Sequence, residues 1–282
     1  MFKLIWKLIK LIFSICIIAG LITAACVGYA GFIEPKRLTV NEVTDVSYSM
    51  QQPITVAVFG DTHFGFNYTT EDFQKVIDEV NSNPPDVLIF AGDLIDNLEE
   101  NPVDTALISS KLSEMKANIG KYAVFGNHDY GGGTEFKYEA IMNAGGFRVL
   151  KNEIITFSEY NLRLIGIDDV LIGYGDPSVA NKAAGDMYNL VICHEPDVID
   201  SILNSNTDYM VAAHTHGKQI HLPFLNNEYM PSYGQKYIKG EYRLSNNAGT
   251  VVYVNSGLGT TRIPARFGAP PELTYLYITN SN

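Results

Sequence analysis

Five short clusters of metal-ligand residue types punctuate the chain: Asp61-Thr62-His63, Gly92-Asp93, Gly126-Asn127-His128-Asp129, His194-Glu195-Pro196 and His214-Thr215-His216. The 282 residues include six histidines, and five of them (63, 128, 194, 214 and 216) fall in these clusters. Imidazole and carboxylate are ligands that divalent transition metals prefer, so the pattern points to a metal centre. A lone Asp or His is more often a cap, a turn residue or a satisfied core group. A purely structural account would have to explain seven ligand-type residues (Asp61, His63, Asp93, Asn127, His194, His214 and His216) at five places at once. His221, outside the pattern, reads as a loop residue.

The clusters share a position. Each directly follows a short apolar run rich in β-branched or aromatic residues, at 54–59, 87–91, 122–125, 190–193 and 209–213. Runs of that length and composition read as buried strands. Amphipathic helix patterns lie between them at about 70–82, 103–118, 134–144 and 196–204. In layered α/β folds ligands bind beyond the C-terminal ends of strands, so five strand ends converging on one edge would assemble the site. Further strand-like runs at 153–157, 162–167, 236–243, 250–254 and 273–279 predict a second sheet packed on the first.

The composition is that of a folded protein, with 46% hydrophobic and 18% charged residues. The formal charge is −11; residues 1–33 carry three lysines and no acid, which leaves −14 for the rest. So acidic a domain is unsuited to tracking nucleic-acid backbone, which needs clustered Lys and Arg. Three cysteines, two of them in the apolar N-terminal run, give no disulfide framework, and the fold must stand on its core.

Taken in order, the clusters resemble the calcineurin-like metallophosphoesterase superfamily: Asp61/His63, Gly92-Asp93-Leu94-Ile95-Asp96, Gly126-Asn127-His128-Asp129, His194, and Ala213-His214-Thr215-His216. The tail Asn255-Ser256-Gly257-Leu258-Gly259, with Arg262-Ile263-Pro264-Ala265-Arg266-Phe267, looks like the membrane-associated bacterial branch, which includes phosphodiesterases and lipid-linked pyrophosphatases. The resemblance implies an α/β fold, a four-layer α-β-β-α sandwich with two mixed sheets. It implies two divalent metal ions (Mn, Zn or Fe), one held by Asp61, His63 and His216, the other by Asn127, His194 and His214, with Asp93 bridging. A metal-activated hydroxide would then attack phosphorus in line. His128 is implied as the catalytic acid facing the substrate; Asp129, placed with it in the catalytic set, and Asp96 would orient neighbouring ligands. The activity implied is hydrolysis of phosphodiester or pyrophosphate bonds, on a phosphate-ester substrate of the membrane or cell envelope that includes lipid-linked esters. A broad-specificity phosphomonoesterase and a non-catalytic envelope-binding protein are the alternatives.

Two positions depart from the family pattern: Ala213 stands where Gly is usual, and Lys218 interrupts the usual Gly-Gly-Gln. Lys218 reads equally as a cation near the substrate phosphate and as a solvated loop residue. Asp168-Asp169 reads as a solvated turn, Gly131-Gly132-Gly133 as a turn or a flexible wall beside His128, and 221–240, with Phe224, Tyr229, Tyr233 and Tyr237, as a cap over the site.

At the N-terminus, 23 uncharged residues separate Lys10 from Glu34. Roughly 20 apolar residues span a bilayer, so residues 1–33 read as an anchor contacting the membrane over 4–32. The preceding lysines keep the N-terminus in the cytoplasm and put the rest outside the cell membrane. Cleavage after Ala30 and a lipoprotein-like box at Thr23–Cys26 are the rival readings; an apolar run longer than a signal core favours the anchor. Residues 34–53 read as an irregular stalk, and 54–282 as the metal-binding domain.

Overall fold

The computed structural model describes residues 2–222 and 230–280. Helix α1 (Phe2–Gly28) continues through a π-turn at Tyr29–Ile33, and is long and apolar enough to cross a membrane. None of α1 is buried against the rest of the chain.

The remainder builds two six-stranded sheets. The first runs β1 (Thr39–Val46), β12 (Glu272–Thr279), β2 (Ile54–Phe59), β3 (Val87–Phe90), β4 (Gly120–Ala123), β5 (Phe147–Val149) in spatial order. The second runs β10 (Gly240–Arg243), β11 (Val251–Val254), β9 (Tyr209–Ala212), β8 (Tyr188–Ile192), β7 (Leu162–Gly166), β6 (Glu153–Phe157). β2 to β5 are mutually parallel, as are β11, β9, β8 and β7, while β12 joins β2 antiparallel and β6 and β10 close the second sheet antiparallel. Both sheets are therefore mixed.

The central strands are apolar without alternation because each is covered on both faces. In β2, Val56 and Val58 point between the sheets, while Ala57 and Phe59 point toward the helices. The helical layer is α2 (Thr70–Ser82), α3 (Thr105–Glu114) and α4 (Tyr138–Ala144). α2 buries Phe73, Val76, Ile77 and Val80, one stripe at helical spacing. Its start is fixed by Thr69, whose hydroxyl accepts from Asp72 N, and that of α3 by Asp104, whose carboxylate accepts from Ala106 N and Leu107 N.

Three expectations need correction. Residues 39–46, read as irregular stalk, form β1, paired parallel with β12 over eight residues. Its Thr, Asn, Glu and Asp content hid it; as an edge strand it alternates half-buried and exposed positions instead of burying both faces. Residues 196–204, read as an amphipathic helix, make only a 3-10 turn at Pro196–Ser201, which with a second such turn at Pro177–Lys182 packs on the second sheet; among the described residues no α-helix packs there. The strand placed at 236–243 is confined to 240–243.

Candidate metal centre

The seven ligand-type residues converge beyond the C-terminal ends of five parallel strands, β2, β3, β4, β8 and β9. All but Asn127 are buried. Asp61 (φ 49°), His63 (φ 44°), Asp93 (φ 61°), His214 (φ 71°) and His216 (φ 52°) all occupy the left-handed region. Non-glycine residues there cost about 1–3 kcal/mol each and persist where function holds them.

Asp61, His63 and His216 form one group whose donor atoms lie within 4.8 Å of one another, and Asp93, His194 and His214 another. His63 and Asp93 also lie within that distance of His128. Backbone and carboxylate acceptors orient the rings. His63 Nδ1 faces Asp96 Oδ1 at 3.1 Å, which leaves Nε2 to meet His216 Nε2 at 3.1 Å. His194 Nδ1 faces the Ala91 carbonyl at 2.7 Å, so Nε2 points to Asp93 Oδ2 at 3.2 Å. His214 Nε2 lies 3.0 Å from the Ser232 carbonyl, leaving Nδ1 to the cleft, while its backbone N–H donates to Asp61 at 3.1 and 3.2 Å.

This donor set fits divalent cations. Asn127 Oδ1 is buried with no hydrogen bond, and buried His194 Nε2 faces only carboxylate oxygens, of Asp93 at 3.2 Å and Asp61 at 3.9 Å. Atoms that bind one ion at about 2.0–2.2 Å lie about 3–3.5 Å apart, the spacing seen between His63 and His216.

Asp129 does not face the cleft. Its carboxylate accepts from Asp93 N (2.8 Å), Leu94 N (2.9 Å) and Gly126 N (2.9 Å), pinning the two turns that carry Asp93 and Asn127. His128 sits at the mouth: its N–H donates to Asp93 Oδ1 (2.8 Å) and Nδ1 faces the Asp96 carbonyl (2.8 Å), which leaves Nε2 free of both. Asp96 also accepts from Thr261 Oγ1 at 3.2 Å.

The electrostatics of the chain alone are those of carboxylates and imidazoles forced together. Burial opposes ionisation of Asp93, yet His194, His128 and His63 hold its carboxyl well below the usual range. Burial likewise disfavours the His194 cation, but Asp93 and Asp61 raise its pKa well above an ordinary histidine. Burial and the charge of His194 push His214 down to about 3; burial, His63 and Arg266 hold His216 well below its ordinary value. A cation at the shared carboxylates would take over the role of the His194 proton.

The structure gives several residues named in the sequence a different place. Arg266 is fully buried beneath His216: its guanidinium donates to the carbonyls of Gly259, Ser256 and Ala269 and lies 3.4 Å from His216 Nδ1. Asp168-Asp169 is not solvated; both carboxylates are buried, and Asp168 accepts from Tyr130 Oη at 2.7 Å. Of the expected cap, Phe224 and Tyr229 lie outside the described residues, Tyr237 is buried and donates to Asp200, and Tyr233 is exposed. Ala213 does not occupy the left-handed region, so its Cβ fits without strain, whereas Lys218 does, at φ 71°. A cavity of 460 Å³ opens over Asp93, Asn127, His128, His214 and His216, with Lys218 and Arg262 on its wall beside Ile220, Met230, Pro231 and Ile263.

The family described as calcineurin-like phosphoesterase matches residues 54–218. The metallophosphoesterase YkuE of Bacillus subtilis is 34% identical over 272 residues, 94% of each chain. The phosphodiesterase YaeI of Escherichia coli is 28% identical over 197 residues, 68% of this chain and 70% of its own. Among solved structures, the NAD nucleotidase NadN of Haemophilus influenzae aligns with a TM-score of 0.49 and 14% identity over 73% of this chain and 45% of that one.

Proposed function

The chain belongs to the calcineurin-like phosphoesterase family, and from that premise we propose that it is a two-metal phosphoesterase. It would cleave phosphodiester or pyrophosphate bonds at the outer face of the membrane that holds α1. The observation that carries this reading is the pair of facing ligand groups, with Asp93 set between His63 and His194 at 3.5 and 3.2 Å.

Asp61, His63 and His216 would hold one cation and Asn127, His194 and His214 the other, with Asp93 shared; mixed nitrogen and oxygen donors suit Mn, Zn or Fe. Two such cations, when bound, supply positive charge to a phosphate and acidity to a water molecule. The chain's own residues do the rest. His128 presents Nε2 to the cleft and donates a proton to the leaving-group oxygen. Asp129 acts through Asp93 by fixing the turn that carries it, a positioning part, and Asp96 fixes the His63 and His128 rings. Lys218 and Arg262 at the wall favour an anionic substrate.

A diester suits this cavity better than a monoester. The apolar wall of Ile220, Met230, Pro231 and Ile263 lies beside the anion-binding floor, and a second ester substituent would fill it. The relative named as a phosphodiesterase supports the same choice. Lys3, Lys7 and Lys10 ahead of the apolar stretch support the outward orientation.

The test is turnover of an aryl phosphodiester against the matching monoester by the full chain loaded with Mn. Preference for the diester is expected. Equal or faster monoester turnover would replace the assignment with a general phosphatase, and two bound metals with no turnover of either would replace it with a binding protein.

A further inference from the structure

The end of the N-terminal helix is fastened to the metal-site domain. Arg266 N–H donates to the Ala30 carbonyl at 2.9 Å, and Ala269 N–H donates to Glu34 Oε1 at 2.7 Å. The Tyr29 ring meets Phe267 edge-on at 6.3 Å between centroids, and Glu34 and Pro35 are buried. A membrane crossed by α1 would therefore meet the Arg262–Ala269 loop in a fixed geometry.

That loop also walls the metal-site cavity, through Arg262 and Ile263. Ile263 is three residues from Arg266, and an extended chain covers about 3.3–3.6 Å per residue, so the rim of the cavity lies within about 11 Å of the clasp. Ile263 is 52% exposed, and Phe32 and Ile33, inside the clasped segment, are 80% and 57% exposed. Exposed Lys36, Arg37 and Arg262 border them, in a chain whose net charge is −11. Apolar tips edged by cations suit the boundary between headgroups and acyl chains in an anionic bilayer.

We propose that Phe32, Ile33 and Ile263, bordered by Arg262, Lys36 and Arg37, seat in the headgroup layer of an anionic bilayer, so that the metal-site cavity opens at the membrane surface. The inference rests on the reading of α1 as a membrane anchor. It also deepens the proposed function: a phosphate ester held in the same leaflet reaches the site by lateral diffusion.

The test uses the full chain in phosphatidylcholine–phosphatidylglycerol vesicles containing lipids brominated near the top of the acyl chain. Trp6 is the single tryptophan, so Trp6→Phe clears the background for one reporter at a time. Reporters at Ile263→Trp and, separately, Phe32→Trp should show blue-shifted emission and bromine quenching. A control at Tyr48→Trp, 92% exposed and past the far end of β1, about 25 Å along the strand from Thr39, should show neither. Water-like, unquenched emission from both rim reporters, with native Trp6 quenched in the unmodified chain, would overturn the rim contact and leave the anchor standing. Unquenched Trp6 would remove the anchor, and this inference with it.

Discussion

Replacing His128 with alanine separates proton donation from metal binding. The ring makes one hydrogen bond, to the Asp96 carbonyl at 2.8 Å, with the Asp96 carboxylate 3.7 Å away, and the side chain is 30% exposed. Loss of that single hydrogen bond costs about 1 kcal/mol of stability. The bond that matters to the centre is from the His128 backbone to Asp93 Oδ1 at 2.8 Å, and alanine keeps it. Metal content should therefore be unchanged. A positioned general acid contributes about 10²–10⁴ in rate, or about 3–5 kcal/mol of activation free energy. Turnover of a phenyl diester, whose leaving oxygen needs a proton, should fall by about that factor, and turnover of a nitrophenyl diester by much less.

The pH profile supplies a second reading of the same substitution. Burial opposes the imidazolium, yet Asp93, the Asp96 carbonyl and the Asp96 carboxylate raise the His128 pKa above its ordinary value. A raised pKa means that the proton is held to higher pH than on an ordinary histidine and is lost as pH rises further. The wild-type rate should accordingly fall on the alkaline side, and His128→Ala should lack that limb. Cations on Asp93 would shift the limb toward lower pH without removing it. Equal losses with both leaving groups, or metal lost in step with activity, would refute the assignment of His128 as the acid.

Two further substitutions probe the backbone beneath the ligands. A Cβ at Gly126 would stand 2.7 Å from Asp93 N and 2.8 Å from His194 Cε1, so Gly126→Ala should cost the protein bound Mn, measured by metal analysis; Gly131→Ala, with nothing within 4 Å, is the control that should retain it. Lys218 holds φ 71°, where a Cβ costs about 1–2 kcal/mol, so Lys218→Gly should exceed Lys218→Ala in stability by about 1 kcal/mol once the greater chain entropy of glycine is counted. Thermal melts should separate the pair by about 2–4 °C, and an alanine variant as stable as the glycine one would refute the strain. Because both remove the amine, both should bind an anionic substrate more weakly than the parent, a trade of stability for function.

The sequence was most legible where structure is set by local residue types. β2, β3, β8 and β9 announced themselves because burial on both faces favours largely apolar runs, and the ligand residues follow close behind those runs. β1 was missed because an edge strand satisfies its ladder on one side only and buries neither face fully, so polar Thr39, Asn41 and Asp45 share its half-buried face with Val43 while Val40 and Val46 are exposed, and no apolar run marks it. The groups that aim the site histidines were hidden for a different reason. His194, His128 and His214 are oriented by the carbonyls of Ala91, Asp96 and Ser232, and every residue carries a carbonyl, so no side-chain pattern marks the one that is used. Arg266 had a side chain to read, but a buried arginine looks in sequence like any surface arginine. Its place under His216 is held by the carbonyls of Ser256, Gly259 and Ala269, and its backbone bonds Ala30, 236 residues earlier, contacts that only the folded topology brings together.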